Sequence, residues 1–297
     1  MDERIGLIGF GIMGSAIAGR LIDSGYGVAV FDASGEAMER ARSIGCSTAA
    51  TPAEIARGAG VMIISLPRPE HVVQVVRNGD DCLLAEARQG SVIVDTSTVD
   101  PATSQANAQA AQQSGVGYLD CPILGRPAGV GHWTLPTGGD PRHIETVAPV
   151  LDAFASKVVH VGPSGHGNML KLLNNLMFGT INAVTCEVFA LGERLSMRPE
   201  LLFDTVADSG AATVSNLFKE LGPKIVERDF AADFSIDNLE KDITLGLAMA
   251  HGTGIELEVS EAGQRLNRRA REAGLGGEDT AAIVKILEPD APTEQPA

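Results

Sequence analysis

The feature that most constrains this chain lies at its start. An apolar run, Arg4 to Ile8, leads straight into Gly9-Phe10-Gly11-Ile12-Met13-Gly14, and a helix-like run, Ser15 to Ser24, follows. Three glycines at this spacing between a strand and a helix have separate tasks. The first permits the tight turn, the second lets backbone approach a pyrophosphate, and the third lets helix and strand pack closely. The helix N-terminus adds free N–H groups and a partial positive charge for phosphate oxygens. Gly27 to Asp32 (GVAVFD) reads as the next strand, ending on a carboxylate placed to accept from both ribose hydroxyls of an adenosine. Gly9, Phe10, Gly11, Ile12, Met13, Gly14 and Asp32 are therefore expected to hold a dinucleotide. Asp32 repels a 2′-phosphate, and Ala33 and Ser34 supply no arginine, which favours NAD. NADP stays possible, should an arginine from elsewhere, such as Arg40, reach a 2′-phosphate.

The rest of the first half continues the alternation. Strands are expected at Cys46 to Ala49, Val61 to Leu66, Ser91 to Thr96, Tyr118 to Pro122, Trp133 to Gly138 and Lys157 to Val161. VMIISL is apolar throughout, as a strand buried on both faces should be. Helices are expected at Glu36 to Ile44, from Thr51 onward, at Pro101 to Ser114 and at His143 to Phe154. The Thr51 helix has Pro52 at its first position and Glu54 placed for a capping box. This order predicts a mostly parallel sheet with helices on both faces. After residue 162 the strands stop. Helices are expected at Gly165 to Ser196, Pro199 to Asp208, Val214 to Glu220, Leu239 to Ala250 and Leu257 to Ala273. The expected fold class is thus α/β. A Rossmann-like doubly wound sheet at 1–162 precedes an all-α domain at 163–288 built on a long interdomain helix. The polar, Pro-rich tail 289–297 is expected to be disordered.

Composition narrows the function. A net charge of −15 disfavours nucleic acid and anionic membrane surfaces as partners. The N-terminus lacks the pattern of a secretory signal. Leu172 to Cys186 is interrupted by Asn174, Asn175 and Asn182, too short and too polar for a membrane span. Cys46, Cys82, Cys121 and Cys186 are scattered with no CxxC pair, which suits free thiols in a reducing cytoplasm. His132 and His166 have no metal-type spacing, and no metal is expected.

One stretch needs a chemical reason. GNMLKLLNNLM (Gly167 to Met177) is mostly apolar and helical, yet it carries Lys171 with Asn174 and Asn175 three and four residues on, on adjoining helical surface. Buried polar groups without partners are costly. Beside a nicotinamide, which carries the hydride, a partly desolvated lysine of lowered pKa would exchange a proton with the alcohol oxygen. An asparagine would hold the substrate or the ammonium. Taken alone, the stretch also fits a snorkelling lysine with two surface asparagines.

Jointly these motifs resemble the β-hydroxyacid dehydrogenase family, which includes 3-hydroxyisobutyrate dehydrogenase, over nearly the whole chain. GLIGFGIMG resembles the family's cofactor signature. SLPRPEHV (Ser65 to Val72) resembles the segment in which Leu66 and Pro67 would touch the cofactor. DTSTVDP (Asp95 to Pro101) resembles the element placing Ser97 and Thr98 beside the nicotinamide, Ser97 toward the substrate. GHGNMLKLLNN matches the catalytic helix, implying Lys171 as acid/base and Asn175, with Asn174, on the substrate. LEKDITLGL resembles the late element that puts Lys241 near the cofactor. The substrate loop departs from the pattern. Pro122 and Gly125 are kept, but Leu124 stands for a serine, and Arg126 and Trp133 stand for glycines. Arg126 is able to form a bidentate pair with a carboxylate. Leu124 and Trp133 would instead enlarge an apolar pocket, or Arg126 would face solvent while Trp133 packs in the core. The resemblance implies an NAD(P)-dependent enzyme interconverting a β-hydroxyacid and its semialdehyde or keto form, acting as a homodimer or homotetramer. An imine reductase-like enzyme and a non-catalytic cofactor-binding scaffold are the alternatives. Retention of Lys171 weighs against both.

Overall fold

A computed structural model of the chain describes residues 4–209 and 215–288. Two compact units are present, Met1–Lys171 and Leu172–Ala297. The first contains eight strands: β1 (Ile5–Ile8), β2 (Val28–Phe31), β3 (Ser47–Thr48), β4 (Val61–Ile64), β5 (Val92–Asp95), β6 (Gly117–Asp120), β7 (Trp133–Gly138) and β8 (Ala155–Gly162). They form one sheet in the order β3-β2-β1-β4-β5-β6-β7-β8. All neighbours are parallel except β6 and β7, which touch antiparallel at Asp120 and Gly138.

Burial explains the apolar runs. Every residue of β1, β4, β5 and β6 is buried. Val30, Leu7, Ile63, Val94 and Leu119 are register partners in a row across the sheet. That row faces a core built with α1 (Ile12–Asp23), α2 (Gly35–Ser43) and α7 (Pro141–Leu151). Ile8, Ala29, Ile64 and Ile93 point the other way. They meet α3 (Pro52–Gly58), α4 (Pro69–Arg77), α5 (Leu83–Glu86) and α6 (Pro101–Gln113). Each large aliphatic side chain so buried contributes about 1.5–3 kcal/mol.

The second unit holds most of α8 (His166–Arg194), then α9 (Pro199–Asp208), α10 (Asn216–Glu227), α11 (Ile236–His251) and α12 (Glu258–Glu272). Its main core joins Cys186 and Phe189 of α8 to Phe218 and Leu221 of α10 and to Ile283 near the end of the chain. No helix among the described residues is long and apolar enough to cross a membrane.

Several elements differ from the sequence expectation. The helix α1 starts at Ile12, so Gly14 lies in its first turn. The helix α4 was not expected, because PEHVVQVVR is rich in β-branched residues that weaken a helical reading. Its Val72 and Val76, four apart, are buried, and that packing decides the conformation. The helix α10 runs through Pro223 to Glu227 rather than stopping at Glu220. A proline inside a helix removes a hydrogen bond. Here Leu217, Phe218, Leu221 and Ile225 form a buried face that offsets the loss, and Gly222 lets the Phe203 ring approach. Thr51 caps α3 as expected, accepting from the Glu54 N–H, but Glu54 returns to the N–H of Ala50 rather than of Thr51. The expected start of α10 at Val214 and the tail 289–297 lie outside the described residues.

Candidate active site

The strand order reverses at β1 and β4, with β2 on one side and β5 on the other. A crevice at the carboxyl ends of the strands is the usual ligand position in such sheets. The glycine loop opens there. Gly9 has φ +96°, and a Cβ on it would lie 2.2 Å from the Ser65 carbonyl oxygen. A Cβ on Gly14 would lie 2.0 Å from the Gly9 oxygen. By contrast, a Cβ on Gly11 would meet nothing within 4 Å, and no side chain caps α1. The first N–H groups of α1 therefore face an open approach, which fits a phosphate-bearing cofactor. Asp32 Oδ2 accepts from the Phe10 N–H at 2.7 Å, and Oδ1 accepts from the Ser34 N–H at 2.8 Å. The Phe10 N–H thus serves the protein, and its ring belongs to the core. Each carboxylate oxygen has further lone pairs for ribose hydroxyls. Arg40 reaches the same loop, donating to the Phe10 carbonyl at 3.3 Å and to Glu36 at 3.0 Å.

Next to this loop, Ser97 Oγ accepts from the Leu66 N–H at 3.0 Å, joining two segments expected around the cofactor. Leu66 and Thr98 are half-buried and Pro67 is exposed. Asp95, at the end of β5, holds the Ser97 N–H at 2.9 Å and the Tyr118 hydroxyl at 2.6 Å. Burial raises the Asp95 carboxyl to about 6, against the pull of the Tyr118 and Ser97 hydrogen bonds.

Lys171 sits in the second turn of α8, and its Nζ donates to the Ile123 carbonyl at 2.8 Å. This brings the lysine to the loop of Pro122, Leu124, Gly125 and Arg126. That loop folds back on β7: Leu124 N–H donates to Thr134 O at 2.9 Å, and Thr134 N–H to Leu124 O at 3.3 Å. Trp133 is fully buried, edge-on to Phe154, and its Nε1 donates to the Arg126 carbonyl at 2.8 Å. It therefore packs in the core and does not enlarge a pocket. Gly125 makes room for it, since a Cβ there would lie 2.3 Å from the indole. Arg126 is half-buried rather than a solvent-facing side chain.

In the second unit, Asn174 Nδ2 donates to Asn175 Oδ1 at 3.0 Å, and Asn175 Nδ2 donates to Asp242 Oδ2 at 2.5 Å. Lys241 Nζ pairs with Asp242 Oδ1 at 2.9 Å. Only an NH₂ can donate to a carboxylate, so Asp242 fixes which end of the Asn175 amide is oxygen. Among the described residues no group of three or more His, Cys, Asp or Glu side chains is arranged to hold a metal ion. Asp95 and Asp242 were not singled out from the sequence. Asp95 had one available signal, for it ends an apolar strand as Asp32 does.

Residues 4–162 match a family described as the NAD binding domain of 6-phosphogluconate dehydrogenase. Residues 165–287 match one described as NAD-binding of NADP-dependent 3-hydroxyisobutyrate dehydrogenase. The 2-(hydroxymethyl)glutarate dehydrogenase of Eubacterium barkeri is 29% identical over 287 residues, covering 96% of this chain and 95% of that one. A probable mitochondrial 3-hydroxyisobutyrate dehydrogenase of Dictyostelium discoideum is 30% identical over 293 residues, covering 96% and 91%. The crystal structure of 3-hydroxyisobutyrate dehydrogenase from Salmonella typhimurium superimposes with a TM-score of 0.88 at 26% identity, covering 96% of this chain and 99% of that one.

Proposed function

This chain belongs to the β-hydroxyacid dehydrogenase family, and from that premise we propose that it oxidises the hydroxyl of a β-hydroxyacid to the semialdehyde, reversibly, with NAD. The observation that carries the reading is Lys171 held against the substrate loop by the Ile123 carbonyl. The nicotinamide, when bound, accepts or returns the hydride. Everything else falls to the protein's own groups. An ammonium has three donors, and the Ile123 carbonyl fixes one of them. During reduction Lys171 gives a proton to the developing alkoxide; during oxidation it takes that proton from the alcohol. Asn175, its amide oriented by Asp242, donates its second Nδ2 hydrogen to the substrate oxygen, which leaves the hydroxyl proton to Lys171. The Pro122–Arg126 loop holds the acid group through backbone N–H donors and the Arg126 guanidinium. Ser97 orders the loop beside the nicotinamide, and Lys241 lies on the cofactor. The Eubacterium barkeri and Dictyostelium discoideum relatives are named for compounds bearing a primary alcohol β to a carboxylate, and a short acid of that class is the proposed substrate. Imine reduction is disfavoured, because a protonating lysine held against the substrate loop suits an alkoxide. The bound-scaffold reading fails on any turnover.

Asp32 carries the cofactor preference. With a short β-hydroxyacid at alkaline pH, NADH should appear with a higher kcat/KM than NADPH. Asp32→Ala should narrow or invert that ratio, because the carboxylate that repels a 2′-phosphate is gone while Arg40 still reaches the same loop. A wild-type enzyme that prefers NADP would sink the assignment.

Residues 1–162 are proposed as the cofactor domain, and 163–288 as the substrate and oligomer domain. Along α8 and just past its end, Leu173, Met177, Val184, Val188, Leu191 and Leu195 are each 44–71% exposed in the single chain. Their spacing of three, four and seven residues places them on one stripe. A second copy of the same helix is the proposed partner, as isologous contacts favour a self-complementary apolar stripe. Light scattering should find a dimer or tetramer, and Leu191→Asp with Leu195→Asp should dissociate it. A monomeric wild type refutes the interface. The four cysteines are free and buried, which suits the cytoplasm proposed as its location.

A further inference from the structure

The helix that carries Lys171 is fastened to the sheet at several points close together in the chain. Gly165, just before α8, has φ +94° and no side chain with which to cap the helix. The cap comes from the neighbouring strand. Asp120, at the end of β6 and fully buried, accepts from the Gly165 N–H at 2.7 Å and from the Asn168 N–H at 2.9 Å. Two of the donors that a helix start leaves without acceptors are thereby satisfied from outside it. Gly167, between them, lies against the same strand. A Cβ there would be 2.3 Å from the Asp120 carbonyl oxygen and 2.7 Å from the Pro136 carbonyl oxygen. The first turn of α8 therefore has no freedom to slide or lift.

Asn168 extends the link sideways. Its side chain is fully buried; Oδ1 accepts from the Val99 N–H at 3.1 Å, and Nδ2 donates to Ser104 Oγ at 3.1 Å. Val99 follows directly on Ser97 and Thr98. One residue is thus bonded both to β6 and to the loop expected beside the nicotinamide. Lys171 follows three residues later, on the adjoining helical surface, and its Nζ is tied to Ile123, three residues beyond Asp120.

We infer that Asp120 and Asn168 are positioning residues for the acid/base lysine. Asp120 pins the first turn of α8 to β6, and Asn168 ties that turn to the 97–99 loop, which together fix where the Lys171 ammonium stands. The inference rests on the reading of Lys171 as the proton carrier. Asp120→Asn preserves volume but sets an NH₂ donor against a helix N–H. The expected result is a kcat lowered about 10- to 100-fold, as a displacement of about 1 Å at a catalytic group produces, with NAD affinity unchanged. The same substitution in a Lys171→Ala background should lower the residual rate no further, because the group it positions is gone. A purely structural role predicts a lower melting temperature with wild-type kcat per folded enzyme, or an equal loss in both backgrounds, and either overturns the inference. Should Asp120→Asn not fold, Asn168→Ala leaves the Asp120 cap in place and must give the same pattern. A Lys171→Ala enzyme with full rate refutes the underlying reading and the inference with it. An inactive Lys171→Ala enzyme beside an unimpaired Asp120→Asn enzyme refutes the inference alone.

Discussion

Replacing Lys171 with alanine should lower kcat by about 10²- to 10⁴-fold, the range expected when a general acid/base is removed, while NAD still binds. The two effects separate because the proposed cofactor contacts, the glycine loop and Asp32, are left untouched by the substitution. Lys171→Arg is the sharper variant. It keeps a cation able to donate to the Ile123 carbonyl, but guanidinium stays protonated at any working pH and is unable to accept the alcohol proton. Hydroxyacid oxidation should therefore stay near the Lys171→Ala level. The measurement is NADH appearance for wild type and both variants, with cofactor binding followed by fluorescence. If arginine restores most of the rate, the lysine acts as a fixed charge and the proton goes elsewhere.

How far the sequence reaches depends on how local the deciding interaction is. The glycine loop was legible because its tasks are set within one strand–turn–helix unit. The strand Trp133–Gly138 and the helix Pro199–Asp208 have the ends expected of them, since proline and glycine mark them locally. The helix α4 was not legible, because β-branched residues obscure the period and only burial of Val72 and Val76 decides it. The position of Trp133 was open between pocket and core. What settles it is a partner ring from Phe154, 21 residues away, and room made by Gly125. The site divides in the same way. Lys171, Asn175 and Asp32 announce themselves as polar groups in apolar runs. Asp95, Asp120, Asn168 and Asp242 do their work across strands or between helices, at separations a one-dimensional pattern does not contain. The antiparallel contact of β6 and β7 belongs with them, as it follows from the fold-back of the loop at Leu124 and Thr134.

Gly9→Ala and Gly11→Ala should fail in opposite ways, as the separate tasks of the two glycines require. At Gly9 an added methyl would stand 2.2 Å from the Ser65 carbonyl oxygen, and the backbone is left-handed at φ +96°. Neither β1 nor β4 can retreat, because both are buried in the centre of the sheet. Strain in such a backbone and overpacking against main chain each cost about 1–3 kcal/mol. Gly9→Ala should therefore destabilise the protein by about 2–6 kcal/mol, read as a lower midpoint in urea at unchanged slope. At Gly11 the backbone is extended, φ −74°, and a methyl meets no protein atom within 4 Å. Stability should hold or rise slightly as the unfolded chain loses freedom. The methyl instead occupies the side from which a pyrophosphate must come, so NAD affinity should fall while the urea midpoint does not. Paired urea titrations and NAD titrations of the two variants decide the matter. A stable Gly9→Ala protein would mean that the loop is not braced by Ser65, and undiminished NAD affinity in Gly11→Ala would place the phosphates elsewhere.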